Sequence, residues 1–437
     1  MTRTTRLLVL CTAGVMAAGL TACSGPDSGD GTTGGATTLR LGAYAASGSD
    51  FEKQLEEHVA AFEEETGVQV ELEVAPYAEF FQRLSTQVAG GDAPDVWLSD
   101  GVFVPQYAAR GALADLTDRV DEELEAATLG LDLVRDPDGR LYGFPQGAQT
   151  PALYYNKAMF DEAGVEYPTE DWTYDDLAAA AKELTKDTNG DGQADQWGFR
   201  AFSSGFTESW WVISRAFGSE VVTDGNSTVA VDDDATKAAL EWMDDAIYGS
   251  AFAPDPTMTE ALGGPHNLFP QGKVAMIFGI YARSNPANAA GIDFDVAPLP
   301  TGPGGSRGEV GIVNSWVVNA EADDEQADAA WEWIQWYSSA DVQVQLLQGN
   351  EAIPIDAGLA ASPEFLEKDG NPANREVFVD ALAEASDLGV NPVWEEYTTA
   401  INEEFTRILT HEVSVDDGVR AAQERAQEAI DRFDAAG

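Results

Sequence analysis

Asp187, Asn189, Asp191, Gln193 and Asp195 alternate through "DTNGDGQAD", with Gly192 at the turn. Oxygen ligands at positions 1, 3, 5, 7 and 9 are the donor pattern of a calcium loop, which also needs a bidentate glutamate at position 12. Gly198 stands there instead. Asn and Asp also close ordinary turns by bonding their own backbone. A structural turn and a calcium site are both open readings; no other cofactor is implied.

Other chemical motifs are incomplete. "GGSRG" (304–308) fits G-x-S-x-G around Ser306. A nucleophile elbow needs a strand before it and a helix after it. Here a Pro/Gly-rich loop precedes and a strand-like run follows. His58, His266 and His411 are the only histidines. His411-Glu412 lacks the second histidine of a zinc-protease helix, and "QGKV" lacks the flanking residues of a phosphate-binding loop. With 76 Asp and Glu residues, a glycosidase-like carboxylate pair is neither shown nor ruled out by counting. A tethered carbohydrate hydrolase is therefore the main rival to a binding protein.

Aromatic residues carry the binding argument. A sugar ring has an apolar C–H face and a polar rim, which suits stacking on Trp or Tyr beside hydrogen-bonding side chains. Of eleven Trp, Trp331, Trp333 and Trp336 share one helical stretch and read as core, as does Trp97 in mid-strand. Open α/β sheets bind ligands where strands end. Asp100 closes "PDVWLSD", and Tyr44 and Ser47 occupy the first strand-to-helix turn. Tyr281 and Arg283 follow "GKVAMIFGI". Trp210 and Trp211 are adjacent, so one is expected to face the core and the other a cleft. Gln149 and Asn314 border the crossovers.

The elements that would position these residues alternate. "TTLRLGAYA" and "VQVELEV" read as strands, and Phe51, Leu55, Val59 and Phe62 recur at helical spacing between them. "PDVWLSD" completes a βαβαβ start, for which a parallel sheet with right-handed crossovers is expected. "PQGAQT" (145–150) and "APLPTGPGGSRG" (297–308) read as crossovers and hinges. The tail from about 373 is mostly helical.

The N-terminus reads as an export signal. Arg3 and Arg6 precede an apolar run from Leu7 to Leu20, the layout of a secretory leader. It ends in Leu20-Thr21-Ala22-Cys23, which resembles a bacterial lipobox, so Cys23 is the expected lipidation site. Residues 24–37 hold too little apolar surface to fold and read as a tether. Cys11 lies inside the expected leader, so the mature chain has no internal disulfide. The net charge of −52 repels nucleic-acid phosphates and anionic headgroups. It suits a solvated monomer held at the outer face of the membrane by its lipid.

In order, "FEEETGVQVELE", "GDAPDVWLSD", "ALYYNKAMFDEAG", "DTNGDGQADQWGF", "FPQGKVAMIFG", "APLPTGPGG" and "AAWEWIQWYSS" resemble family 1 of the extracellular solute-binding proteins. These are the maltose-binding-protein-like receptors of sugar ABC importers. The resemblance implies a two-lobed, hinge-linked α/β fold of type II with the ligand cleft between lobes, a sugar ligand, an ABC permease partner and no enzymatic activity. It implies that Asp100 bonds sugar hydroxyls and that Tyr281 stacks on a ring. The implied layout is a signal peptide over 1–22, a tether over 23–37, lobe 1 over 38–147 and 299–345, lobe 2 over 148–298, and a helical part over 346–437 lying mainly on lobe 2. A receptor for a polyol, glycerophosphodiester or peptide is the third reading.

Overall fold

The computed structural model describes residues 37–203, 208–350 and 352–435. Cys23, the leader and the tether lie outside the described residues. Among the described residues no helix is long and apolar enough to cross a membrane.

Among the described residues, twelve strands form two main sheets and a hairpin. They are β1 (Thr38–Tyr44), β2 (Gln69–Ala75), β3 (Val96–Ser99), β4 (Phe144–Gln149), β5 (Pro151–Asn156), β6 (Trp197–Phe199), β7 (Val221–Thr223), β8 (Thr228–Ala230), β9 (Val274–Ile280), β10 (Phe294–Ala297), β11 (Val310–Val318) and β12 (Ser386–Asp387). The first sheet runs β12-β11-β3-β1-β2, with β4 also paired to β11; the second runs β10-β5-β9-β6. β1 pairs in parallel with both β2 and β3, which is the expected βαβαβ start. β11 returns antiparallel to β3 and β4.

Local chemistry explains the elements. Helix Asp50–Thr66 begins at Ser49, whose side chain accepts from the Glu52 amide, and ends at Gly67 with φ 80°. Leu55, His58, Val59 and Phe62 form its buried stripe. Helix Asp324–Tyr337 opens with a reciprocal cap between Asp323 and Gln326 and buries Trp331, Trp333 and Tyr337. Trp336 stacks on Trp333 at 5.7 Å and donates its indole N–H to Glu65. Trp97 is fully buried, as expected of a mid-strand residue.

The two halves join abruptly. β4 ends in the first sheet at Gln149 and β5 starts in the second at Pro151, so the passage occupies the fully buried Thr150. Segment 297–308, expected to be the second crossover, is instead fixed to the second half. The Gly304 amide donates to Ala216 O at 3.0 Å, Thr301 donates to Trp172 O at 2.8 Å and Arg307 donates to Glu170 O at 2.8 Å. The return crossing is made by β11. The C-terminal helices Trp394–Leu409 and Val415–Asp434 pack on helix Asp234–Asp244 and on β8. Gln427 and Gln423 accept the Val229 and Asp232 amides there at 2.9 Å.

His58 is buried edge-on against Trp336 and Tyr337, and burial lowers its pKa below 6.5. The unfolded chain therefore binds this proton first as pH falls through 6.5, and stability drops. We expect His58→Leu to flatten the decline in thermal midpoint between pH 7.5 and 5. The limiting slope removed is about 1.4 kcal/mol per pH unit. An unchanged slope in the variant would reject the assignment.

Candidate functional site

Two strand ends of the first sheet converge on Tyr77. Tyr44 ends β1, and Asp100 follows β3. Tyr77 is the first residue of helix Tyr77–Gly90 and is 45% exposed. The Tyr77 hydroxyl donates to Asp100 at 3.0 Å. Its ring meets Tyr44 edge-on at 5.2 Å and Phe81 at 4.9 Å. The second Asp100 oxygen accepts the Val102 amide at 3.1 Å and caps the short helix Gly101–Phe103. Burial pushes the Asp100 carboxyl up against the lowering effect of those two hydrogen bonds, and the Glu395 carboxylate adds to the rise. Glu395 also raises Tyr77 and Tyr107, where burial is the larger cause; Tyr107 reaches about 12. Because Glu395 begins helix Trp394–Leu409, the C-terminal part brings an acid to the mouth of the first half.

The opposite wall is built on β4 and β9. The Gln149 side chain accepts the Ala282 amide at 3.3 Å, tying the end of β4 to the turn after β9. Arg283 donates to Glu208 at 2.6 Å. Glu208 is 2% exposed, with His266 at 3.3 Å and Arg200 at 3.9 Å. Burial raises its pKa, but the His266 hydrogen bond and the charges of Arg283 and Arg200 outweigh this and hold it at about 2. Burial brings the Arg200 guanidinium down to about 10. Arg200 spends its donors on Pro265, Glu208 and Phe278 carbonyls at 2.9–3.0 Å.

A cavity of about 520 Å³ adjoins the first wall at Gly101. Val104 and Ala108 line it from helix Val104–Ala109, Ile312 from β11, Val393 from just before helix Trp394–Leu409, and Phe433 from helix Val415–Asp434. Gly101 opens it beside Asp100. A Cβ on Gly101 would meet Val313 O at 2.4 Å, so only glycine lets β11 approach this closely.

Several expected site residues are placed elsewhere. Tyr281 is 1% exposed. Its hydroxyl donates to Asn350 at 3.0 Å and its ring packs on Phe365 and Phe378, so an apolar cluster claims the ring expected to stack on sugar. Trp210 and Trp211 are both fully buried. Trp210 donates to Asn402 at 2.7 Å, and Trp211 packs on Trp394 at 5.5 Å; neither faces a cleft, because the helix carrying them is covered on both sides. Ser47 is exposed in its turn, and Asn314 is half-buried opposite Gly147 at a bulge of β11. Tyr44 and Asp100 lie together beside Tyr77, and Gln149 and Arg283 lie together at the turn after β9. Tyr77, Glu208 and Glu395 were missed. Tyr77 alone carried a signal: it stands just past the strand-like run "VQVELEV".

In the 187–195 loop, Asp187 accepts the Gly190, Asp191 and Gly192 amides, Asp191 that of Gln193, and Asp195 that of Thr188. The carboxylates turn onto the backbone. Among the described residues no group of three or more His, Cys, Asp or Glu converges to hold a metal. Ser306 accepts the Gly308 amide at 2.9 Å within a turn.

The family model for bacterial extracellular solute-binding proteins matches residues 45–344. A binding protein of Brucella abortus is 25% identical over 370 residues, covering 83% of this chain and 85% of the relative. An ABC substrate-binding protein of Listeria monocytogenes, solved with cycloalternan, aligns with TM-score 0.77 and 24% identity over 91% of this chain and 99% of that one. The cyclic alpha-maltosyl-1,6-maltose binding protein of Arthrobacter globiformis aligns with TM-score 0.78 and 21% identity, covering 91% and 100%.

Proposed function

The chain belongs to the bacterial extracellular solute-binding protein family, the binding components of ABC transporters rather than enzymes, and from that premise we propose that its solute is a mono- or oligosaccharide. It takes the sugar between its two halves and delivers it to a permease. The observation that carries this reading is the pairing of Asp100 with the exposed Tyr77 ring, whose hydroxyl donates to the carboxylate at 3.0 Å. A carboxylate accepting hydroxyl protons beside an aromatic face is the pairing a pyranose needs. The carbohydrates named for the Listeria and Arthrobacter proteins support it. Closure brings both walls onto one ligand, so affinity and closure rise together.

A thermal-shift screen over sugars, polyols and peptides tests this. A sugar at 100 times its Kd adds about 2.7 kcal/mol of stability. Stabilisation by peptides or polyols with none by any sugar would reject the carbohydrate reading.

We also propose that Cys23 carries the lipid anchor, supported by Leu20-Thr21-Ala22-Cys23 and the polar run behind it. Cys23→Ala should move the protein from membranes to the medium and abolish labelling by an alkyne fatty acid. Undiminished labelling in that variant would exclude Cys23.

A further inference from the structure

The cavity beside Asp100 is aliphatic where a sugar site would be polar. Its walls are Val104, Pro105, Ala108, Ile312, Val393 and Phe433. Of the charged residues in its lining, Asp434 is exposed to solvent and the others are already paired. Arg135 reaches Glu125 at 2.8 Å, and Arg140 reaches Asp136 and Asp138, each at 2.8 Å, while its guanidinium covers the Tyr142 ring at 5.6 Å. Its amides are engaged as well. Asn226 donates to Val390 O at 3.4 Å, and Asn391 donates to Asn226 O at 3.1 Å and accepts the Val393 amide at 3.0 Å.

A hydroxyl placed among these groups would lose its water partners and gain few others. An uncharged apolar group would lose nothing and gain burial. The polar and apolar regions adjoin at two points. Gly101 lines the cavity next to Asp100, and Val393 lines it two residues before Glu395. One ligand can therefore span both.

We propose that the ligand is a glycoside whose sugar meets Asp100 and Tyr77 and whose neutral alkyl or aryl substituent fills this cavity. The proposal rests on the carbohydrate reading for its sugar half only.

Calorimetry on the purified protein tests it, using the sugars returned by the screen, their hexyl and phenyl glycosides, and hexanol alone. The hexyl glycoside should bind about tenfold or more tighter than the parent sugar. Ala108→Trp, which fills the cavity, should bring that ratio close to one. Val393→Thr, isosteric but polar, should reduce it and covers the case in which the tryptophan variant does not fold. Equal affinity of sugar and hexyl glycoside, or a ratio that neither variant moves, overturns the apolar subsite and leaves the carbohydrate reading standing. Hexanol binding that Ala108→Trp abolishes, with no binding of any sugar, supports the subsite and overturns the glycoside. Binding of none of these compounds overturns both.

Discussion

Glu208→Gln is expected to destabilise the protein by about 3–5 kcal/mol at pH 7, the cost of leaving buried charge without its partner. Glu208 faces Arg283 at 2.6 Å and Arg200 at 3.9 Å, and Arg200 is 1% exposed. Glutamine keeps the shape of the side chain and removes the one carboxylate that offsets both cations. Urea unfolding monitored by tryptophan fluorescence would measure the loss. Adding Arg283→Gln should recover part of it, because the pair is coupled. Wild-type stability in the single variant would show that the arginines do not depend on this acid. The pH dependence has a definite sign. The folded pKa of about 2 lies below the ordinary 4.5. The contribution is therefore complete above 4.5 and is lost as pH falls toward 2. That window lies below the one set by His58, so the two acid limbs are separable.

Asp100→Asn is expected to weaken binding of the cognate sugar more than tenfold, equivalent to about 1.5–3 kcal/mol for a hydrogen bond to a charged group, with little change in stability. The asparagine oxygen can still accept the Val102 amide at the start of helix Gly101–Phe103, so the cap survives while the charge is lost. Asp100→Ala removes both, and should cost about 1 kcal/mol of stability besides. Calorimetry beside thermal unfolding separates the roles. Full affinity in Asp100→Asn would mean that this carboxylate serves only the fold. Tyr77→Ala should act similarly on affinity, since its half-exposed ring contributes more to the mouth of the cleft than to the core.

Legibility differed by element. β1 and β3 were visible as short apolar runs bounded by turn residues, and the edge strand β2 as a run that alternates apolar and polar residues. Helix Asp50–Thr66 was visible because Ser49, the stripe from Leu55 to Phe62 and Gly67 all agree on its limits. The rule that ligands gather at strand ends singled out Asp100 and Tyr44, which lie together beside Tyr77. Tyr281 obeyed the same rule and failed it. Phe365 and Phe378, about ninety residues further along the chain, cover its ring. Trp210 and Trp211 failed likewise, because Phe405 and Trp394 from a distant helix close over them.

The sequence alone determined what depends on near neighbours: the caps, the amphipathic stripes, the parallel start of the first sheet and the ordered stretches that mark the family. The tertiary structure decided which aromatic rings stay open and which acids meet arginines. It also decided that the chain changes sheets at Thr150 and returns along β11. Those outcomes turn on residues tens to hundreds of positions apart competing for the same apolar volume or the same charge. A strand end offers a place for a ligand, but only the packing of remote elements determines whether that place stays empty enough to be filled.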